Sequence, residues 1–288
     1  MMNQNNMMKK TILILTIIIC TANTILAQNQ DLIEQKVDSL IQTYHRPNGP
    51  GIAVSVSKDG EIIYKNQTGY ANLEYMIPIS DTTVFHIASI SKQFTAFAAL
   101  LLEKEGKLSL DDDIKKYLPE LNELPYKITI RQLANHTHGL PNVHELVHLI
   151  GITPQDVLSQ QQMIRILLRL KQTNFVPGSK YQYNNTGFTL LAEIIQRVSG
   201  KTFSEYLKER IFEPLKMNHT LVLDNLGTIV KNKAYSYTQT EQGFEKIPFN
   251  FTLVGSSGIN TTAQDLSLWA MNFHEPNPTI GGQAIFEK

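Results

Sequence analysis

A hairpin signal near the N-terminal end constrains the fold more than any other feature of the sequence. Apolar and small side chains alternate over residues 51–58, the pair Asp59-Gly60 follows, and residues 61–65 have the pattern of a second strand. An Asp-Gly pair between two alternating segments is typical of a two-residue β-hairpin turn. Two strands alone do not form a stable sheet. Either residues 233–254 contribute more strands or the sequence is incomplete.

The remaining chain is dominated by helical patterns. Residues 31–45 and 87–105 each carry an apolar stripe of helical spacing, and the second helix is expected to stop at Gly106. Later helix starts and ends are indicated by Thr129 with Gln132, Thr153-Pro154, Gly187 to Gly200, Thr202 with Glu205, and Thr262 with Asp265. The sequence therefore predicts a hairpin and a helix first, followed by a helical block from about residue 107 to 225.

The N-terminal segment, residues 1–27, has the layout of a secretory signal peptide. Lys9 and Lys10 precede an apolar run, and Ala27 is the small residue before the expected cleavage point. A membrane anchor is one alternative, but the run is short for a span of about 20 residues. Lipid attachment at Cys20 is another. Cleavage after Ala27 would remove that sole cysteine and leave a mature protein without a disulfide or a thiol nucleophile.

Composition narrows the class of protein. The 288 residues are 42% hydrophobic and carry 26 basic and 26 acidic side chains. A chain with this apolar content and no net charge is not expected to be disordered. A nucleic-acid partner is not expected either, because such binding requires a basic face.

Two serines each precede a lysine by three residues, Ser55 with Lys58 and Ser89 with Lys92. Ser55 lies on a predicted strand, where positions i and i+3 point to opposite faces. Ser89 lies at the start of a predicted helix, where they share a face. A serine nucleophile needs its base within about 3 Å, so only the second pair can meet this requirement locally. Apolar neighbours of Lys92 are expected to bury it and to lower its pKa.

A Tyr-x-Asn triplet occurs three times, as Tyr64 with Asn66, Tyr70 with Asn72, and Tyr183 with Asn185. The pattern alone carries little information. The third triplet differs because it follows a Val-Pro-Gly loop and directly precedes a helix. Its side chains can therefore project from a fixed turn.

The residues around these motifs resemble one family. Residues 85–95 resemble the active-serine segment of the serine β-lactamase and penicillin-binding-protein superfamily, closest to its branch of class C β-lactamases, DD-peptidases and related esterases. Four further segments agree in order, residues 131–140, 174–185, 211–217 and 257–265. In the first of these, His138 replaces the usual serine of a His-Thr-Ser-Gly-Leu segment.

The resemblance implies an α/β (α+β) fold, with an antiparallel sheet flanked by helices plus an all-helical region. Within a domain spanning residues 28–288, residues 28–106 and about 226–288 would form the sheet side and about 107–225 the helical part. It also implies a third motif, of Lys-Thr-Gly or His-x-Gly type, on a later strand. No segment after Asp265 fits that motif. We therefore expect the sequence to lack the C-terminal strands, which puts the activity of these residues alone in question.

By the same resemblance, Ser89 is the acyl-accepting nucleophile of a serine hydrolase, and the signal-peptide layout of residues 1–27 adds the expectation that this hydrolase is exported. Lys92 activates it, alone or together with Tyr183, which passes the proton to the leaving group. Asn185 positions the substrate amide or Lys92. The resemblance implies no cofactor and no metal, and a small-molecule or peptide-like substrate with an amide, lactam or ester bond. After cleavage of the signal peptide, no stable membrane span is expected.

The sequence leaves two alternatives to a serine hydrolase. The sequence His144-Glu-Leu-Val-His148 has the spacing of a zinc-peptidase helix, in which both histidines bind Zn²⁺. No third ligand is evident, and Gly151 limits the helix. A protein that binds ligand as a sensor, without turnover, is the second alternative. Release of an acyl group from Ser89 would distinguish a hydrolase from such a sensor.

Overall fold

The computed structural model describes residues 8–9, 32–153, 155–248, 250–274 and 278–285. Apart from residues 8 and 9, the predicted signal peptide lies outside this part of the chain. Within the described residues, no helix combines the length and the apolar character that a membrane crossing requires.

The predicted hairpin follows the first helix, α1, at residues 32–44. Strand β1 (Ile52–Lys58) pairs antiparallel with β2 (Glu61–Thr68). Asp59 has a φ of 52° and Gly60 a φ of 82°. Positive φ at both central residues matches the hairpin turn that an Asp-Gly pair favours. The sequence therefore predicted both the position and the chemistry of this turn.

The other described strands are short. β3 (Tyr70–Asn72) pairs with β4 (Ile77–Pro78), and β7 (Tyr237–Thr240) pairs with β8 (Gly243–Lys246). A three-stranded sheet has the order β5 (Phe85–His86), β9 (Ile259–Thr261), β6 (Leu221–Val222). All of these pairings are antiparallel. Strands do occur between residues 233 and 254, which was one of the two alternatives that the sequence left open, but among the described residues β7 and β8 pair only with each other.

Helices surround a central helix, α6. Their bounds are α2 (Ser91–Lys104), α3 (Ile130–Ala134), α4 (Val143–Leu149), α5 (Gln160–Leu167), α6 (Asn185–Ser199), α7 (Phe203–Leu207) and α8 (Ala263–Met271). Helix α6 packs against α2, α3, α5, α7 and α4. It buries an apolar face that includes Leu190, Leu191 and Ile195, and Gly200 ends it in the left-handed conformation. Burial of that face fixes the N-terminal end of α6, where Asn185 lies.

The helix start predicted at Thr153 is wrong. The Thr153 backbone N–H and hydroxyl both donate to the Asp156 carboxylate, at 2.7 and 2.8 Å, and this closes a turn instead. Helix α5 begins at Gln160, where its N-cap residue Ser159 forms a reciprocal capping box with Gln162.

Candidate active site

Ser89 lies on a strained turn between a strand and a helix. Strand β5 is held in the sheet, and the N–H of Ile87 continues the pairing by donating to the Ile259 carbonyl at 3.1 Å. Ala88 then adopts a φ of +45°, and a 3₁₀ turn at Ala88–Ile90 precedes α2. A positive φ is unfavourable for alanine and is often found at functional sites. The sequence predicted one continuous helix here, whereas the turn leaves Ser89 exposed at the beginning of α2.

The structure brings Ser89, Lys92 and Tyr183 together. The Lys92 Nζ lies 3.1 Å from the Ser89 Oγ, and the Tyr183 Oη lies 2.7 Å from the same oxygen. Both distances are within hydrogen-bond range. The serine hydroxyl therefore has two basic groups within reach of its proton, and one of them comes from a residue 94 positions away.

Lys92 is buried, with 7% of its surface exposed. Besides Ser89, its Nζ donates to the Asn185 Oδ1 at 2.8 Å and to the Ser256 carbonyl at 2.7 Å. Burial disfavours the charged ammonium and lowers the pKa of Lys92. A lysine with a lowered pKa, fixed by two acceptors beside a serine hydroxyl, is suited to act as a base.

Tyr183 interacts closely with Lys92. The Lys92 Nζ lies 4.9 Å from the centre of the Tyr183 ring. Burial alone would raise the pKa of the Tyr183 hydroxyl, but hydrogen bonding and charge from Lys92, together with Ser89, outweigh it, and the net effect lowers this pKa. Stabilisation of the phenolate in this way makes Tyr183 a second candidate base.

The hydrogen bonds fit two distributions of one proton. A neutral Lys92 would accept from the Ser89 hydroxyl and donate to Asn185 and to the Ser256 carbonyl. A charged Lys92 would donate to all three oxygens, and Ser89 would then donate to a Tyr183 phenolate. In both distributions every proton of Lys92 has an acceptor. Both leave Ser89 hydrogen-bonded to a base.

His136 and Asn184 hold the loop that carries Tyr183, and neither was among the site residues predicted from the sequence. The His136 ring packs against that of Tyr183, with 4.6 Å between centres. Its Nδ1 accepts from the Asn184 backbone N–H at 3.2 Å. The Asn184 side chain caps α6 and donates to the Leu140 carbonyl at 2.6 Å. The sequence did contain a hint, because His136 belongs to one of the segments that resemble the family. Its role became apparent only from its contacts with Tyr183 and Asn184 in the structure.

A cavity of about 700 Å³ opens beside Ser89 and Asn185. Its walls come mainly from residues 223–258, together with His86 and His144. Burial and the charge of Lys92 lower the pKa of His144. Ser89 and Asn185 themselves belong to its walls. It can therefore hold one part of a substrate whose reacting carbonyl lies at Ser89.

The zinc-peptidase pattern on α4 is not assembled into a metal site. His144 faces the cavity, whereas Glu145 and His148 are exposed on the same seven-residue helix. Within the described residues, no three His, Cys, Asp or Glu side chains are grouped so that they could hold a metal ion.

The remaining copies of the short motifs have structural contacts. The Ser55 hydroxyl accepts from the Ser267 hydroxyl of α8 at 2.8 Å. Tyr64 and Asn66 both donate to the Asp38 carboxylate of α1. These contacts fasten helices to the hairpin, away from Ser89.

Gly255 is a position where the site depends on backbone shape. It has a φ of +89°, and a Cβ there would overlap the Phe188 carbonyl oxygen and lie 2.6 Å from the Ala192 Cβ. We expect Gly255→Ala to lower the free energy of unfolding by about 3 kcal/mol or more, through overlap and backbone strain together. Because the next residue supplies the carbonyl that accepts from Lys92, turnover should also fall.

Gly243→Ala is the matched control for this prediction. Gly243 also has a positive φ, of +123°, but no atom lies within 4 Å of an added Cβ. The Gly243→Ala variant should lose only about 1 kcal/mol of its free energy of unfolding, measured with urea. Equal losses in the two variants would show that overlap at Gly255 is unimportant.

Comparison with known proteins identifies the family. A sequence profile described as Beta-lactamase matches residues 30–285. Over 238 residues the chain is 33% identical to a D-aminopeptidase of Brucella anthropi, a match that covers 82% of this chain and 44% of that protein. The chain belongs to the β-lactamase family, within the superfamily of serine β-lactamases and penicillin-binding proteins. It spans less than half the length of the curated relatives that it matches.

Solved structures agree with this assignment. A penicillin-binding protein homologue from Pyrococcus abyssi, described as octameric, is 28% identical with a TM-score of 0.73, and the match covers 91% of this chain and 59% of that one. A class C β-lactamase in complex with cefoxitin is 26% identical with a TM-score of 0.69, covering 85% and 66%. The predicted α/β fold of β-lactamase and transpeptidase type is confirmed.

Proposed function

We propose that the protein is an exported serine hydrolase that cleaves an amide, lactam or ester bond through an acyl-enzyme on Ser89. The observation that carries the proposal is the Ser89 Oγ, which lies within hydrogen-bond distance of both Lys92 and Tyr183. Family membership and the similarity to a D-aminopeptidase support the hydrolase class. The signal-peptide layout of residues 1–27 supports export.

Acylation would begin with loss of the Ser89 proton to Lys92 or Tyr183. The Ser89 Oγ then attacks the substrate carbonyl carbon and forms a C–O bond, and the carbonyl oxygen becomes an oxyanion. The backbone N–H of Ser89 donates to this oxyanion. The bond to the leaving group breaks as Tyr183 delivers the proton to it, and Asn185 fixes Lys92 throughout.

Deacylation would reverse these roles with water as the nucleophile. Water loses a proton to the same basic pair and attacks the ester carbon. The acid product departs, and the proton returns to the Ser89 Oγ. No cofactor or metal is needed in this scheme. The substrate is a small molecule or a peptide, and the protein would act as one β-lactamase-related domain.

The alternative is a protein that becomes acylated, or only binds, and does not turn over. The two functions differ in the lifetime of the adduct on Ser89. A hydrolase releases the acyl group within its catalytic cycle, whereas a sensor retains it.

Intact mass spectrometry tests the proposal directly. The protein is exposed to a fluorescent penicillin and to an activated ester, and the mass of the covalent adduct and its decay are followed. We expect one adduct in the wild type and none in Ser89→Ala. Ser55→Ala is the matched control, since Ser55 has the same spacing to a lysine but packs against α8, and it should keep the adduct. An adduct that persists in Ser89→Ala would overturn the proposal.

A further inference from the structure

The charges around the cavity beside Ser89 are unbalanced. Two of its lining residues are lysines, Lys233 and Lys246, and burial lowers the pKa of the two lining histidines, His86 and His144, which favours their neutral rings. None of the described lining residues is an aspartate or a glutamate. A pocket of this composition favours an anionic group in its ligand and disfavours an ammonium group.

The two lysines differ in how their charges are compensated. The Lys246 Nζ lies 2.9 Å from the Glu74 carboxylate and 4.9 Å from the centre of the Tyr235 ring. Lys233 has no ion pair with any described residue. The uncompensated positive charge of the cavity is therefore that of Lys233.

Lys233 is held in place by its backbone neighbours. The Val84 N–H donates to the Asn232 carbonyl at 3.0 Å, and the Ala234 N–H donates to the Val84 carbonyl at 2.9 Å. Val84 directly precedes β5, the strand that leads to Ser89. Lys233 is half-buried, and burial lowers its pKa. A bound anion would compensate this desolvated ammonium.

The acyl group of a covalent adduct borders this cavity. Ser89 and Asn185 line it together with Lys233. Under the proposed mechanism the leaving group departs after Tyr183 protonates it, whereas the acyl group stays attached to the Ser89 Oγ. The acyl portion of the substrate is therefore the part that remains beside the space where Lys233 lies.

We propose that Lys233 determines specificity by binding a carboxylate carried on the acyl portion of the substrate. This inference rests on the proposed function. It gives the protein a preference opposite to one for a free amino group, because an ammonium in this cavity would meet two lysine side chains and no carboxylate among the described residues that line it. A hydrogen bond between two charged groups contributes an advantage of about 10- to 100-fold.

Three activated esters of matched chain length test the inference. They are the para-nitrophenyl monoester of adipate, its methyl ester, and para-nitrophenyl aminohexanoate, which carry an anion, no charge and a cation. We expect kcat/KM for the anionic ester to exceed that for the methyl ester by about 10- to 100-fold. Lys233→Met should remove this advantage and leave kcat/KM for the methyl ester within about twofold of its wild-type value. Lys233→Glu should raise kcat/KM for the amine above that for the anionic ester. Lys231→Met is the matched control, because it removes an exposed lysine two residues away that does not line the cavity, and it should change the ratio little.

A binding measurement keeps the inference separate from the proposed function. Monomethyl adipate and dimethyl adipate are titrated calorimetrically into the Ser89→Ala protein, which tests recognition without turnover. We expect the anion to bind more tightly, and Lys233→Met in the same background to remove the difference. Equal binding of the two compounds, or an ester preference unchanged by Lys233→Glu, would overturn the role of Lys233. Hydrolysis that survives Ser89→Ala would instead overturn the proposed function.

Discussion

Lys92→Met is expected to slow acylation of Ser89 by about 100- to 10,000-fold, the usual contribution of a positioned general base. Methionine occupies a similar volume and removes the group that lies 3.1 Å from the Ser89 Oγ. It also removes the hydrogen bond and charge that lower the pKa of Tyr183, so a smaller fraction of the second candidate base is in its basic phenolate form near neutral pH. The burst of product from an activated ester, measured by stopped flow, gives the acylation rate.

The pH profile of acylation should show the same group. Burial lowers the pKa of Lys92, and hydrogen bonds outweigh burial to lower that of Tyr183. The deprotonated base that accepts the Ser89 proton is therefore formed at a lower pH than the deprotonated form of a free lysine or tyrosine. The acylation rate should rise with pH and level off below about pH 10. In the Lys92→Met variant, the rise of the acylation rate with pH should occur at higher pH than in the wild type.

Lys58→Met is the matched control for Lys92→Met, because it alters the other lysine that follows a serine by three residues, on β1. It should leave the acylation rate within about twofold of wild type, as expected for an exposed side chain. Circular dichroism checks that both variants are folded. If folded Lys92→Met acylated as fast as the wild type while Ser89→Ala did not react, Lys92 would not take part in the chemistry.

The sequence predicted the parts of the site that depend on local geometry. Ser89 and Lys92 are three residues apart at the beginning of a helix, and this spacing brings their side chains together. Tyr183 and Asn185 were singled out by their place between a loop and a helix. The Asp59-Gly60 turn was predicted for the same reason, since its conformation depends on two adjacent residues.

The rest of the site depends on contacts between distant segments. The Ser256 carbonyl accepts from Lys92 across 164 residues, and a backbone acceptor has no side-chain signature. The left-handed conformation of Ala88 is imposed by the sheet and helix on either side of it, against the preference of alanine. Lys233 reaches the cavity because its neighbours pair with Val84. None of these positions could be inferred from the spacing of residues along the chain.

His138 was recognised from the sequence, but its surroundings were not. The sequence shows that a histidine replaces the serine usual in the family at this position, whereas its contacts are known only from the structure. The ring is 1% exposed, and its Nδ1 accepts from the Leu140 N–H at 3.0 Å, whereas its Nε2 has no partner among the described residues. Gly187 makes room for the ring, because a Cβ there would lie 2.8 Å from the Nε2. Burial therefore favours the neutral form of this ring.

This environment predicts a large loss of stability in acid. Burial lowers the pKa of His138 to about 3, from 6.5. Above pH 6.5 the folded and unfolded chains both hold a neutral ring. Below it, the unfolded chain gains a proton that the folded chain refuses until about pH 3. The free energy of unfolding should thus fall as the pH drops through this window, by up to about 5 kcal/mol from this residue.

Urea unfolding of His138→Asn between pH 7 and pH 4 measures that contribution. Asparagine has an oxygen acceptor for the Leu140 N–H and cannot titrate. The variant should be less stable than the wild type at pH 7, because it leaves a small cavity, and should lose less stability on acidification. His148→Asn, which changes an exposed histidine on α4, should keep the wild-type slope. If the free energy of unfolding fell equally with pH in His138→Asn and in the wild type, the folded protein would accommodate the charged imidazolium. The argument that burial keeps His138 neutral would then fail.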